Sequence, residues 1–427
     1  MLQNFKNRLL KSKFVYDSFW ALLGNVVGRG LSLVAGIIVA RLLGKEIYGE
    51  YGIIKNTIFS LAIFSTFGLG YTATKFVAEF KDKQPEYLNL ILKYSRIITL
   101  IVSSSIALLL FSFATPISDK ILKAPHLHSS IRLVSIWVII HSLTTTQIGI
   151  IAGFGEFKKM AKIEGIVGVI TFILSAIFTF LWGLMGALGA LLVAQIVNLI
   201  LYYRLVEKNK PTKKTIKKDL VFFKEIINFS TPVAMQEILY AGMGWTLHYL
   251  LIKFANYGEL GLYSAAMQWN ALILFIPGVL RNVILSHLSG SSDNKARHKR
   301  ILKHTLLINF ISTIIPFILV YAFSDIITTF YGTSFTELKY VLRVMVFSTI
   351  FISLSNVYSQ AYLSIGKSWI MFKIRLIRDL GKILLGYFLL VYFYKYNGAI
   401  AIAYSQLIVS FIFLLLMSTF YKFLNKK

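Results

Sequence analysis

The sequence contains no cysteine and few acidic residues, with 18 Asp and Glu against 45 Lys and Arg in 427 residues. Without cysteine, the chain has no disulfides, no thiol chemistry and no thiolate metal ligands. Charged residues of both signs make up only 15% of the chain, whereas soluble domains carry about a quarter. These deficits argue against a soluble globular protein.

Long apolar segments take the place of the missing charge. The chain is 56% hydrophobic, its mean hydropathy is +0.69, and runs of about 20 apolar residues, enough for a membrane helix, recur from end to end. The short alternating segments typical of membrane β-barrels are not seen. We therefore predict an all-α polytopic membrane protein with twelve transmembrane helices. The predicted spans lie near 17–41, 50–73, 94–114, 130–152, 163–182, 185–204, 228–252, 260–285, 304–324, 340–363, 371–393 and 397–421.

The basic residues alternate from loop to loop. Both termini and every second loop are basic, and the loops between them are short and carry little positive charge. Because positively charged loops stay in the cytoplasm, we predict a multi-pass protein of the inner or plasma membrane with both termini cytoplasmic. The same rule accounts for the formal net charge of +27, so no nucleic-acid partner is predicted.

The chain contains a long internal repeat. A shift of 212 residues places 41–51 on 253–263, and nearly the same shift places Gln195 near Gln406. A basic linker at 207–219 separates six predicted spans from six. We therefore predict an N-terminal lobe at 1–210 and a C-terminal lobe at 211–427. Two six-helix halves of equal orientation are typical of transporters that bind substrate between the halves.

Predicted spans 1 and 7, which correspond in the repeat, each carry a polar face. Asn25 and Arg29 share one face of span 1, and an arginine at that depth costs at least about 2.5 kcal/mol. The Asn25 position corresponds to Glu237 in span 7. Such polar faces need protein or water beside them. We therefore predict a cavity to which the first half of the repeat contributes a cation and the second half an acid.

Three short motifs carry a family resemblance. Span 1 ends in ARLLG at 40–44, YGEY follows at 48–51, and span 7 opens with FSTP at 229–232. With the span count and chain length, they make the sequence resemble the polysaccharide and O-antigen flippases. These belong to the multidrug/oligosaccharidyl-lipid/polysaccharide exporter (MOP) superfamily.

The resemblance implies two lobes arranged as a V around a central cavity, alternating access, and no enzymatic reaction. The implied cargo is an undecaprenyl-pyrophosphate-linked oligosaccharide, moved from the cytoplasmic to the outer leaflet for surface polysaccharide such as the O-antigen of lipopolysaccharide. Membrane lipids, a polysaccharide polymerase and its chain-length machinery are implied partners. Related peptidoglycan-precursor flippases use arginines in spans 1, 2 and 8. Arg29 and Lys55 occupy the first two places, and Arg281 lies near the end of span 8.

Four residues are candidates for binding this cargo. Arg29, with Asn25 on the same face, is the candidate phosphate ligand, because arginine pairs with phosphate through bidentate hydrogen bonds. Lys55 is either a second phosphate ligand or a residue that snorkels to the membrane interface. Trp269 is the candidate for stacking on a sugar ring.

Glu237 is the candidate site for a coupling ion, either a proton or sodium, because intramembrane carboxylates commonly mark ion pathways. The alternative is a structural partner for a basic residue. A second group of charges, Arg375, Arg378 and Lys382, follows the start of span 11 with Asp379 among them, and we interpret it as an i,i+4 pair between Arg375 and Asp379 plus cytoplasmic charge.

Other possible chemistry is set aside. His141 and His248 are interpreted as residues of packing or interhelical hydrogen bonding. The sequence AYLSIGKS at 361–368 loosely matches a phosphate-binding loop but follows a membrane span rather than a strand, so no ATP hydrolysis is predicted. We predict no catalytic residue, metal ligand or cofactor.

Two alternative functions stay open. The first is a multidrug or metabolite exporter of the same superfamily, whose cationic drugs Arg29 would disfavour. The second is a membrane enzyme of glycan assembly, which would be expected to carry a larger loop outside the membrane.

Overall fold

The computed structural model describes residues 13–210, 219–278, 280, 284, 288, 295–365, 367–393 and 397–426. These residues form helices joined by short turns, with no strand among them. The long helices are α1 (Lys13–Thr66), α2 (Leu69–Lys83), α3 (Leu88–Ser112), α4 (His128–Phe154), α5 (Phe157–Asn209), α6 (Leu220–Phe254), α7 (Tyr257–Ile273), α8 (Lys295–Ala322), α9 (Ser324–Tyr331), α10 (Leu338–Ser364), α11 (Ser368–Tyr392) and α12 (Gly398–Lys426). Short helical turns span Pro85–Tyr87, Ala114–Pro116, Ile117–Ile121, Pro125–Leu127 and Thr333–Phe335. The predicted all-α fold class is confirmed.

Two of these helices each hold two predicted spans. α1 is broken at Gly44, with φ of 71° and ψ of 167°, and α5 is broken at Gly183, with φ of 55° and ψ of −132°. Positive φ favours glycine, which has no β-carbon to clash with the backbone. The chain therefore turns at the two short loops that the sequence predicts between spans 1 and 2 and between spans 5 and 6.

Predicted span 2 is not one continuous helix. α1 ends at Thr66 and α2 begins at Leu69, because Phe67 and Gly68 adopt left-handed φ values of 49° and 69°. Two left-handed residues in a row cannot continue a right-handed helix. Predicted span 2, near 50–73, therefore contains a break that the sequence did not indicate.

Within the described residues, six helical stretches are each long and apolar enough to cross a membrane. They are Pro85–Ser112, Pro125–Phe154, Phe157–Asn209, Lys295–Ala322, Leu338–Ser364 and Gly398–Tyr421. The third has 53 residues, and the break at Gly183 divides it into two spans. The protein is a polytopic membrane protein.

The chain forms two compact units. The first contains residues up to Ala35 together with Ile53–Trp245, and the second contains Gly36–Gly52 together with Thr246 and later residues. The turn between predicted spans 1 and 2 thus belongs to the second unit. The predicted lobes, 1–210 and 211–427, stay a prediction about the repeat.

Aromatic packing holds the first unit together near the start of α6. Phe222 packs against Phe76, Phe80 and Tyr87, with ring centroids 5.1 to 5.6 Å apart. Such aromatic pairs contribute about 0.5–1.5 kcal/mol beyond their buried area. This cluster therefore fixes α6 against α2 and the turn that precedes α3.

The repeat is visible in the second unit as a reciprocal helix contact. A β-carbon at Gly49 would overlap the carbonyl oxygen of Tyr257, and a β-carbon at Gly261 would overlap the carbonyl oxygen of Lys45. Tyr257 and Gly261 are the repeat equivalents of Lys45 and Gly49, so the two contacts mirror each other as in a twofold interface. Only glycine lets the backbones approach this closely.

The same contact continues one turn further along both helices. A β-carbon at Gly52 would lie 3.1 Å from the β-carbon of Ser264, and these two positions are also repeat equivalents. The beginning of span 2 and the beginning of α7 therefore cross on an approximate twofold axis.

A buried carboxylate links α7 to α12 beside this crossing. Glu259 lies in the first turn of α7, before predicted span 8, and its Oε2 accepts a 2.8 Å hydrogen bond from the Ala399 backbone N–H. A carboxylate at the N-terminus of α12 is favourably placed for the helix dipole. Burial nevertheless raises the pKa of Glu259, because removal from water disfavours the charged form.

Replacing Glu259 with Gln is expected to remove a pH dependence of stability. A raised folded-state pKa means that this group stabilises the fold most at low pH and that the stabilisation is lost as pH rises through the folded pKa. The wild-type unfolding temperature in detergent should therefore contain a component that rises as the pH falls from neutral towards acid. Glu259→Gln should lack it, since the amide oxygen accepts the Ala399 N–H without a charge.

Glu259→Ala is the control, because it leaves the buried N–H without this acceptor, at a cost of about 1–3 kcal/mol at any pH. An equal pH dependence in the wild type and Glu259→Gln would contradict the assignment.

Candidate functional site

Three of the predicted site side chains, those of Asn25, Arg29 and Glu237, lie outside the described part of the structure. Their helices are described: Asn25 and Arg29 belong to α1, and Glu237 belongs to α6. Lys55 is half-buried in the first unit, in the part of α1 that follows Gly44. The roles of these four residues stay predictions.

Trp269 lies in the second unit, where its ring edge is engaged. Its Nε1 donates a 3.0 Å hydrogen bond to the hydroxyl of Tyr331 in α9, and the preceding Gln268 donates to the hydroxyl of Tyr48. The hydrogen-bonding edge of the indole therefore serves the fold. Stacking on a sugar through the ring face stays a prediction.

The most concentrated charge inside a predicted span lies on α11. Arg375, Arg378 and Lys382 are spaced by three and four residues, so they share one face of the helix, and all three are half-buried. On the opposite face, Ile377 is 59% exposed and Leu384 is 68% exposed. α11 thus has an exposed apolar face and, opposite it, a half-buried cationic face.

The cationic face reaches deep into the predicted span. Lys382 lies 14 residues after Ser368, where α11 begins, which is about 21 Å along the helix at 1.5 Å per residue. The hydrocarbon core of a bilayer is about 30 Å thick. Lys382 is the central residue of predicted span 11, 371–393, so this position favours an intramembrane role over the interpretation as cytoplasmic charge, which stays a prediction.

One acid partly neutralises this face. Asp379 Oδ1 lies 2.8 Å from Arg378 Nε, and both side chains are less than a fifth exposed. Three cations and one anion leave a net charge of +2 on the helix turn. The backbone carbonyl of Lys382 accepts a 2.7 Å hydrogen bond from the Ser405 hydroxyl of α12, so α12 fixes α11 at this residue through the backbone.

This arrangement suits a dense anion. Arginine presents two parallel donors to a phosphate, lysine binds it as a point charge, and the low dielectric within the membrane strengthens both interactions. Several cationic side chains within one membrane span are costly and commonly mark a functional site. The sequence already indicates this cationic face, because residues 375, 378 and 382 are spaced three and four apart on a helix.

The first unit has an aromatic group on α1 and α4. His141 stacks on Trp137 with ring centroids 4.4 Å apart, and Phe59, which is 41% exposed, packs edge-on against both. His248 likewise packs against Tyr263 at 5.4 Å, so the predicted packing roles of both histidines are confirmed.

An acid at the start of predicted span 5, which the sequence interpretation did not use, lies in the same unit. Glu164 Oε1 accepts a 2.8 Å hydrogen bond from the hydroxyl of Tyr202, and the backbone of Glu164 lies against Gly28 of α1. The sequence could have pointed to Glu164, because it lies within predicted span 5. Nowhere in the described ranges do three or more His, Asp or Glu side chains form a group that could hold a metal ion.

Comparison with known proteins gives one family and one fold. A family model described as "Polysaccharide biosynthesis protein" matches residues 14–286, which is more than half of the chain. No curated protein matches the sequence significantly.

Solved transporter structures superpose over nearly the whole chain. A multidrug resistance MATE family transporter of the MOP superfamily, in an inward-facing conformation, gives a TM-score of 0.81 at 15% identity, covering 95% of this chain and 99% of that one. A MOP superfamily transporter from Pyrococcus furiosus, whose reverse polarity of the binding pocket suggests a different function, gives 0.69 at 17% identity and 98% coverage of both chains. At these identities the similarity establishes the fold.

Proposed function

Because the chain belongs to the polysaccharide biosynthesis protein family and has the fold of MOP superfamily transporters, we propose that it is a flippase for a lipid-linked oligosaccharide. The cargo is an undecaprenyl-pyrophosphate-linked glycan that moves from the cytoplasmic to the outer leaflet of the plasma membrane. Surface polysaccharide assembly, through a polymerase and its chain-length machinery, consumes the product.

The cationic face of α11 is the observation that carries this proposal. The pyrophosphate is the one group of the cargo that needs strong compensation away from water, and Arg375, Arg378 and Lys382 provide positive charge at the required depth. A cationic drug would be repelled by this face. The charge on α11 therefore favours the flippase over the multidrug exporter.

The remaining predicted residues fit the other parts of the cargo. Arg29 and Lys55 would hold phosphate in the first half of the repeat. Trp269, and Phe59, which is 41% exposed, offer ring faces on which sugars stack. The polyprenyl chain needs no polar site, because it stays in the hydrocarbon of the bilayer.

Coupling would depend on an intramembrane acid. Glu237 is the first candidate, and Glu164, with its hydrogen bond from Tyr202, is the second. Glu237→Gln should weaken transport and abolish its dependence on pH while expression is retained. Transport by Glu237→Gln that keeps the wild-type pH dependence would move the role to Glu164, for which Glu164→Gln is the matched variant.

The test of the function is transport in reconstituted vesicles. A labelled undecaprenyl-pyrophosphate oligosaccharide is followed between leaflets for the wild type and for Arg29→Ala. Movement in the wild type that is lost in Arg29→Ala supports the cargo class and the cationic cavity, and movement in both removes Arg29 from the mechanism. Extrusion of cationic dyes, with no movement of any of several lipid-linked glycans, would overturn the flippase in favour of the exporter.

A further inference from the structure

The second unit contains an apolar groove with a basic end. α8, α10 and α12 enclose about 570 Å³, and α10 packs against both other helices, so it forms the floor. Leu307, Phe310 and Leu415 line the groove and remain 39–55% exposed. Lys303 and His304 line one end. The volume lies within the range of about 300–1,000 Å³ found for ligand sites.

The basic end of the groove lies at the depth of lipid headgroups. Predicted span 9 begins at residue 304, so Lys303 and His304 are at the membrane interface, with Lys295, Arg297, Lys299 and Arg300 just before them in α8. Among the described residues, no acidic side chain lines the groove. A cluster of four or more Lys and Arg directly beside a membrane helix attracts anionic lipids.

We propose that this groove binds one anionic phospholipid. Its phosphate contacts Lys303 and His304, and an acyl chain lies along Leu307, Phe310 and Leu415. Charge complementarity selects an anionic headgroup, and the exposed apolar walls cover the chain. The groove involves neither α11 nor any residue assigned to the cargo, so this site is independent of the proposed transport function.

Native mass spectrometry of the full-length protein in detergent tests the proposal. The protein is stripped of lipid and titrated with phosphatidylglycerol or with phosphatidylcholine of the same acyl chains. The wild type should retain one phosphatidylglycerol about tenfold more tightly than phosphatidylcholine, which is the effect of one charge-assisted contact. Equal retention of the two lipids would overturn the proposal.

Two variants locate the site. Lys303→Gln removes the headgroup contact, and Leu307→Trp, at an exposed position that tolerates a large side chain, fills the groove. Each should abolish the preference for phosphatidylglycerol. Lys373→Gln, which removes an exposed charge from α11, and Ile318→Trp, an exposed position further along α8, should leave it unchanged.

Persistence of the preference in both Lys303→Gln and Leu307→Trp would overturn the site. Displacement of bound phosphatidylglycerol by an equimolar amount of undecaprenyl phosphate would also overturn it, because the groove would then belong to the prenyl chain of the cargo. The experiment measures only lipid binding. A negative result would therefore refute the lipid site without bearing on the proposed transport function, which the transport assay tests.

Discussion

Oxidation of a Gly52→Cys, Ser264→Cys variant should stop transport of the lipid-linked oligosaccharide, and reduction should restore it. The two positions are equivalent in the repeat, and their β-carbons would lie 3.1 Å apart. Disulfides have β-carbons about 3.5–4.5 Å apart, so a shift of less than about 1 Å forms the bond. In the proposed alternating-access cycle, the two halves of the repeat separate at this end at some stage, and the bond would prevent that.

Because the sequence has no native cysteine, the oxidant can form a disulfide within the chain only between the two introduced residues. Each single-cysteine variant should transport equally with and without oxidant. A second pair, Leu31→Cys with Gly168→Cys, has β-carbons 3.7 Å apart and lies within the first half of the repeat, so its disulfide should leave transport intact. Full cross-linking of the 52–264 pair with undiminished transport would show that this contact persists through the whole cycle.

Lys382→Gln should reduce transport of the pyrophosphate-linked cargo by about 10- to 100-fold. The substitution removes one charge-assisted contact, worth about 1.5–3 kcal/mol, and each 1.36 kcal/mol corresponds to a tenfold change. Folding should be retained, because the bond from Ser405 is made to the backbone carbonyl of Lys382. The initial rate of leaflet exchange in vesicles is the measurement.

Two further variants separate position from charge. Lys373→Gln removes the same charge from an exposed site on the same helix and should transport like the wild type, while Lys382→Arg should retain most of the activity. Wild-type rates for Lys382→Gln would remove the α11 face from the mechanism. Equal losses in Lys373→Gln and Lys382→Gln would indicate an effect of overall charge rather than of the site.

The amino-acid sequence by itself determined the fold class, the positions of the helices and the family resemblance. Membrane insertion depends mainly on the local density of apolar residues, so runs of about 20 such residues identify spans without knowledge of their neighbours. Gly44 and Gly183 were identifiable as turns for an equally local reason, since short polar or glycine-containing segments interrupt the runs. The repeat was also present in the sequence, because Gly49 and Tyr51 recur as Gly261 and Tyr263.

Only the tertiary structure decided which side chains are engaged and which face of each helix meets lipid. Trp269 was a reasonable candidate for sugar binding from its polar neighbours, yet the bond to Tyr331 comes from a helix more than 50 residues away in the chain. The spacing of Arg375, Arg378 and Lys382 fits surface charge as well as an internal face. The exposure of Ile377 and Leu384 on the other side of α11 distinguishes the two. The face a helix buries is set by contacts between distant segments, which local composition does not encode.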